Sequence, residues 1–256
     1  MAEEWRLLDT GLGDAFYNMA LDEAIAIARS KKLVPNTLRF FRWEPSAVSI
    51  GYFQSMEEEV DIKACNKLGI DYVRRRTGGG AVYHDRDGEL TYSLIINEDH
   101  PLISRDFQKT YENLCSGIIR GLRILGVPAE FKPINDIIVG GKKISGNAQT
   151  RSMNVVHQHG TILRDVNPTL MFTVLKVPSE KIRDKMIKSV KERVTSIKSY
   201  LKKEVSFEEL KDALIKGFEE TFNIRLIPGE VTNFEEQTAI KLKMEKYSTR
   251  EWNFKR

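Results

Sequence analysis

Val73-Arg-Arg-Arg-Thr-Gly-Gly-Gly-Ala-Val-Tyr-His-Asp85 organises the reading of this chain. Three arginines run directly into three glycines. Adjacent residues without a Cβ let the backbone turn sharply and let another molecule approach it closely. Cations beside such a backbone suit an anion, with phosphate or carboxylate as the usual occupant. A tight hairpin with a basic neighbour fits the same residues. On either reading, Asp71–Arg75 and Ala81–His84 are strands flanking a glycine loop.

Working outward, Thr37–Trp43, Ala47–Phe53 and Glu89–Asn97 read as strands, the last with strict alternation. Asp61–Leu68 is a short helix ended by Gly69. The run after Asn18 is amphipathic at helical spacing, and Thr10-Gly-Leu-Gly-Asp14 before it reads as a loop. Phe107–Leu125 is a helix with Leu114, Ile118, Leu122 and Leu125 on one side. Asp136–Val139 and Lys142–Ser145 flank Gly140-Gly141, a two-residue hairpin signal. Val155–Leu163 is a further strand. Helices follow at Thr169–Leu175, Ser179–Ile187 and Phe207–Phe222, the last opened by Ser206 with Glu209 as a capping box. The expected class is α+β: a mixed, largely antiparallel sheet covered by helices, with a helical C-terminal third.

Bulk composition excludes several classes. The chain has 256 residues, 41% hydrophobic and 30% charged, ordinary for a folded protein. No apolar run approaches the roughly 20 residues of a membrane span, and the charged N-terminus does not fit a secretory signal, so the expected location is cytoplasmic. The net charge of +4 is mild, and charges of both signs are interspersed in the last third. Nucleic acid is not indicated; an acidic protein or a small anion suits the charge. Cys65 and Cys115 form no CxxC pair and sit in helical patterns, which points to burial.

Usual nucleotide and hydrolase motifs are absent: no P-loop, no dinucleotide fingerprint, no GxSxG elbow. With a two-residue period, Lys143, Ser145, Asn147, Gln149 and Arg151 share one face of the second hairpin arm, and Ile144, Gly146 and Ala148 the other. The polar face is either solvent-exposed or lines a cleft entered by Lys143. Asn135-Asp136 is either a turn or the group that orients Lys143 or holds Mg²⁺. His157 and His159 share a face and either bind a metal or are polar surface; with no third histidine nearby, polar surface is the expectation. His84-Asp85 is a candidate site edge.

Taken in order, Arg74–Asp85, Asn135-Asp136, Gly141-Lys-Lys-Ile-Ser-Gly-Asn-Ala148 and His159-Gly-Thr161 resemble the lipoate–protein ligase A family, within the biotin/lipoate ligase superfamily. Ser189–Thr195 and Tyr247–Asn253 add to the resemblance, which spans nearly the whole chain. It implies activation of lipoate by ATP and Mg²⁺ to lipoyl-AMP, then transfer to a lysine of a lipoyl carrier domain (an E2 subunit or the glycine-cleavage H protein). It places Lys143 as the catalytic cation. It places Arg75, Arg76, Thr77, Gly78, Gly79, Gly80, Ala81, Val82, Tyr83 and His84 around the acyl-adenylate, with Asn135, Asp136, Gly146, Ala148, His159 and Thr161, and gives Asp136 to the metal.

Octanoyltransferases of the same fold are the nearest rival. One branch shares the stretch like Gly141–Arg151 but uses a cysteine in the loop ahead of the hairpin, and Val127–Asp136 contains none. The expectation is therefore a ligase. A single catalytic domain is expected, without the small C-terminal domain many ligases carry, and a separate accessory subunit is expected to replace it.

Overall fold

The computed structural model describes residues 2–177 and 180–256. In chain order it runs β1 (Glu3–Gly13), α1 (Ala15–Ser30), β2 (Thr37–Trp43), β3 (Ala47–Ile50), α2 (Met56–Glu59), α3 (Ile62–Leu68), β4 (Asp71–Arg74), β5 (Val82–His84) and β6 (Glu89–Asn97). Then come α4 (Phe107–Ile124), β7 (Glu130–Lys132), β8 (Asp136–Val139), β9 (Lys142–Ser152), β10 (Val155–Leu163), α5 (Pro168–Val174), α6 (Glu180–Arg193) and α7 (Ile197–Leu201). The chain closes with α8 (Phe207–Phe222), β11 (Ile224–Pro228), α9 (Asn233–Leu242), a π-turn at Lys243–Tyr247, and α10 (Arg250–Asn253).

An eight-stranded sheet in the order β11-β1-β2-β6-β10-β9-β8-β7 carries the fold, with a separate three-stranded sheet β4-β3-β5. The large sheet is parallel at β11-β1 and β1-β2 and antiparallel from β2 onward. The α+β expectation holds. Pairing of β11 with β1 means that the C-terminal third also supplies an edge strand and is not purely helical.

Alternation sorts the core. Leu38 and Phe40 of β2 and Leu90, Tyr92, Leu94 and Ile96 of β6 pack under α4 and α8. The next residues along, Phe41, Trp43 and Ile95, pack under α1. The α8 capping box is formed as expected by Ser206 and Glu209. Of the helix expected over Ser179–Ile187, Ser179 lies outside the described residues, and α6 runs on to Arg193.

The expected loop at Thr10–Asp14 is strand as far as Gly13, and Asp14 caps α1. Register with β2 slips between Asp9 and Leu12, and Gly11 has φ +62°. That is a β-bulge, with glycine at the left-handed position it requires. Among the described residues no helix is long and apolar enough to cross a membrane.

Candidate active site

A cavity of about 330 Å³ lies between the two sheets. The large sheet contributes Glu89 and Thr91 from β6, Lys143, Gly146 and Ala148 from β9, and His159 and Thr161 from β10. The small sheet contributes Ser49, Val82, Tyr83 and His84, and the glycine loop contributes Gly79, Gly80 and Ala81. Met19 and Trp43 add apolar surface, and Met171, Val190 and Val194 border it from the α5–α6 side. The volume falls near the lower end of the range for small-molecule pockets.

Lys143 reaches this cavity because of a bulge. Ile137 pairs with Ser145 but Ile138 pairs with Lys143, so Ile144 is an extra residue in β9. The slip moves Lys143 onto the face of Gly146 and Ala148, against the simple alternation read from sequence. A Cβ on Gly146 would stand 2.7 Å from both Cε and Nζ of Lys143; the missing side chain is the room the lysine occupies. Ser145, Asn147 and Gln149 are buried. Asn147 accepts from the Tyr92 hydroxyl at 2.6 Å, and Gln149 donates to Gln158 at 3.0 Å. The polar face is therefore neither solvent-exposed nor aligned with Lys143.

Asp136 Oδ1 lies 2.7 Å from Lys143 Nζ and orients it. Asn135 lines the cavity and exchanges hydrogen bonds with Asn147. Among the described residues the cluster of three ligand-type side chains is Asp22 with His157 and His159, and Asp136 is not part of it. The end of α6 closes beside the lysine: Thr195 N donates to Lys143 O at 2.8 Å.

The three arginines do not form an open anion clamp. Arg74 is fully buried and donates to the carbonyls of Gly51, Tyr52, Gln54, Trp252 and Asn253. It ties the small sheet to the C-terminal turn, which explains the Tyr247–Asn253 motif. Arg75 borders the cavity, yet donates to Thr77 Oγ1, Ser49 O and Oγ, and the carbonyls of Gly78 and Gly80. Its burial pulls the guanidinium down to about 10. Arg76 turns away to Ser152 and Glu23. Of the three glycines only Gly79 is constrained: its φ is +97°, a Cβ there would stand 2.9 Å from Arg75 Nη2, and its carbonyl oxygen packs 2.0 Å from where a Cβ on Gly51 would be, whereas Gly78 and Gly80 face open space.

Thr77 sits behind the wall. Its hydroxyl accepts from Arg75 Nε at 3.1 Å and pairs with His159 Nε2 at 2.7 Å. His157 and His159 are buried, against the reading as polar surface. Asp22, far away in sequence, joins them in a cluster of metal-ligand type. Arg39 already occupies that carboxylate at 2.7 Å. Burial pushes His159 down to about 4, so near neutrality it is an uncharged imidazole rather than an ion-pair partner.

Sequence reasoning missed Ser49, Glu89 and Thr91. The alternation of β6 was the available signal, but its polar face was not assigned to a cleft.

Residues 14–219 match the lipoyl protein ligase A/B catalytic domain. The curated octanoyltransferase LipM of Kyrpidia tusciae is 41% identical over 276 aligned residues, covering 99% of this chain and 100% of the relative. Octanoyltransferase LipM of Bacillus subtilis is 36% identical, covering 99% of each. Among solved structures, the bi-partite lipoate protein ligase of Thermoplasma acidophilum has a TM-score of 0.88 at 37% identity, covering 98% of this chain and 96% of that one. These similarities place the chain among enzymes of protein lipoylation.

The curated full-length relatives overturn the expectation of ATP-dependent lipoate activation, and with it the expected roles of ATP and Mg²⁺. That expectation leaned on the loop without cysteine. A missing thiol excludes one nucleophile; it does not exclude acyl transfer, which other groups can also carry.

Proposed function

The chain belongs to the lipoyl protein ligase A/B catalytic-domain family, and we propose that it is an octanoyltransferase. It moves an octanoyl group from a carrier thioester to the ε-amine of a lysine on a lipoyl domain. End-to-end similarity to curated octanoyltransferases carries this reading. The site suits it: a cavity with apolar walls for the aliphatic tail, and one oriented ammonium at the border. A thioester is already activated, so nucleotide is not needed. Lys143 faces the acyl carbonyl and stabilises the oxyanion of the tetrahedral intermediate. Asp136 sets its direction. The accessory subunit expected for adenylation has no task in this reaction.

The test is mass spectrometry of a lipoyl domain after incubation with octanoyl-carrier thioester and no ATP. One octanoyl group gained is the expected result; a gain seen only with free acid plus ATP breaks the reading. Lys143→Ala should cut transfer by about 100-fold or more while leaving the melting temperature nearly unchanged, because its side chain is 41% exposed.

A further inference from the structure

Ser49, His84 and Glu89 line one stretch of the cavity wall, each in contact with the next. Ser49 Oγ lies 2.8 Å from His84 Nε2, and His84 Nδ1 lies 2.7 Å from Glu89 Oε1. All three are buried, and all three border the cavity. We propose that they form a hydroxyl–imidazole–carboxylate relay in which Ser49 carries the octanoyl group as an ester between donor and acceptor. This rests on the octanoyltransferase reading.

Hydrogen-bond accounting fixes the direction of the relay. A carboxylate only accepts, so His84 Nδ1 carries a proton, and in the neutral ring this leaves Nε2 as an acceptor. The Ser49 hydroxyl therefore donates to Nε2. Its oxygen accepts from Arg75 at 3.2 Å, a cation that favours developing negative charge there. The ring is locked by stacking on Trp43, with centroids 4.0 Å apart and planes at 18°. Glu89 is locked by the Thr91 hydroxyl at 3.0 Å, and Thr91 by the Trp43 indole at 2.8 Å. Nucleophile, base and orienting carboxylate are thus in reach and held by their neighbours.

The two thiols lie elsewhere. Cys115 packs on the far side of the large sheet under α8, and Cys65 packs behind the small sheet. Burial raises both, Cys65 to about 11, which disfavours the reactive thiolate.

The chemistry balances in two halves. Ser49 Oγ bonds to the octanoyl carbonyl carbon as the thioester C–S bond breaks. The hydroxyl proton passes to His84 Nε2 and on to the departing thiolate. The acceptor lysine then attacks the ester as a free amine, the amide C–N bond forms and the C–O bond breaks. One amine proton returns through Nε2 to Ser49 Oγ.

The full chain is mixed with octanoyl-carrier thioester without acceptor, quenched in acid and mapped by mass spectrometry. One octanoyl group on the peptide containing Ser49 is expected, stable to neutral hydroxylamine and chased by added lipoyl domain. Ser49→Cys should move the adduct into a hydroxylamine-labile thioester. Because Ser49→Ala also loosens Arg75, Glu89→Gln is the second variant. As a positioning change it should lower kcat by at least about 100-fold with KM and melting temperature unchanged. ATP-free transfer with no adduct, or with an adduct on another residue, overturns the relay and leaves the transferase reading standing. Absence of both adduct and transfer overturns the two together.

Discussion

On β6, Leu90, Tyr92, Leu94 and Ile96 point to α4 and α8, while Glu89, Thr91 and Ser93 point to the opposite side. Both faces are buried, and they are built on different physics. The α4–α8 face is mostly apolar and held by close packing around one uncharged cluster, Tyr92 with Asn147 and Gln158. The other face buries a network of charges and hydroxyls: Arg39 with Asp22, His159 with Thr77, and Glu89 with His84. One strand thus separates a face that stabilises from a face that carries chemistry. Polar alternation in a strand is usually taken to mark water; here it marks a second protein layer with a cavity between.

The largest effect expected on the polar face comes from Asp22→Ala. Asp22 and Arg39 pair at 2.7 Å with side chains almost wholly removed from solvent. Removing the carboxylate strands a buried guanidinium, a loss of about 3–5 kcal/mol. Urea unfolding checks it, and a loss under 1 kcal/mol would show that water reaches this layer. The apolar face has its counterpart in Gly217→Ala. A Cβ there would stand 2.3 Å from Gly121 N of α4. Overpacking of this kind costs about 1–3 kcal/mol. Activity per folded molecule should persist, since this face does not border the cavity; a matched fall in activity and stability would join the two faces functionally.

The faces should also differ in pH response. Burial holds His159 at about 4, below its ordinary 6.5. Below pH 6.5 the unfolded chain takes up a proton that the folded chain refuses. Stability therefore falls as pH drops from 6.5 towards 4, by about 1.4 kcal/mol per unit. Near pH 5 the loss should be about 2 kcal/mol relative to pH 7. In His159→Gln this slope should vanish. Equal slopes in the two proteins would assign the acid sensitivity to another group.

The framework was legible in the sequence, but the contrast between the two faces was not. The Gly140-Gly141 hairpin, the Val155–Leu163 strand and the α8 capping box follow from local signals, while the place of Lys143 at the cavity was expected from the family resemblance. Bulges were not legible. Gly11 in β1 reads as a loop, and the extra Ile144 in β9 reverses the face on which Lys143 lies. A one-residue slip is invisible to a period-two reading and changes every assignment beyond it. Nor does local sequence show how arginines are spent. Three in a row suggest a ligand clamp, but carbonyls of Gly51, Tyr52, Gln54, Gly78 and Gly80 occupy Arg74 and Arg75. Partners such as Asp22 with His159, or Ser49 with His84, meet only through the sheet topology.

The smallest effect is expected from the thiols, and it bears directly on how the two faces divide their work. Cys115 sits in α4 against Gln158, 3.7 Å from its amide nitrogen, on the side of the sheet away from Lys143. Cys65 sits in the small core of α3 and β3. A thiol kept protonated by burial neither attacks a thioester nor reacts readily with alkylating agents. The Cys65→Ala/Cys115→Ala double variant should therefore transfer octanoyl groups at close to the parent rate. Its only cost should be the small cavities left behind, about 1 kcal/mol each. Iodoacetamide should leave the folded parent active. Transfer that collapses in the double variant while its melting curve stays near the parent's would move the nucleophile onto a thiol. The division between a packing face and a chemical face would then fail at Cys115, because the acyl group would have to cross the sheet.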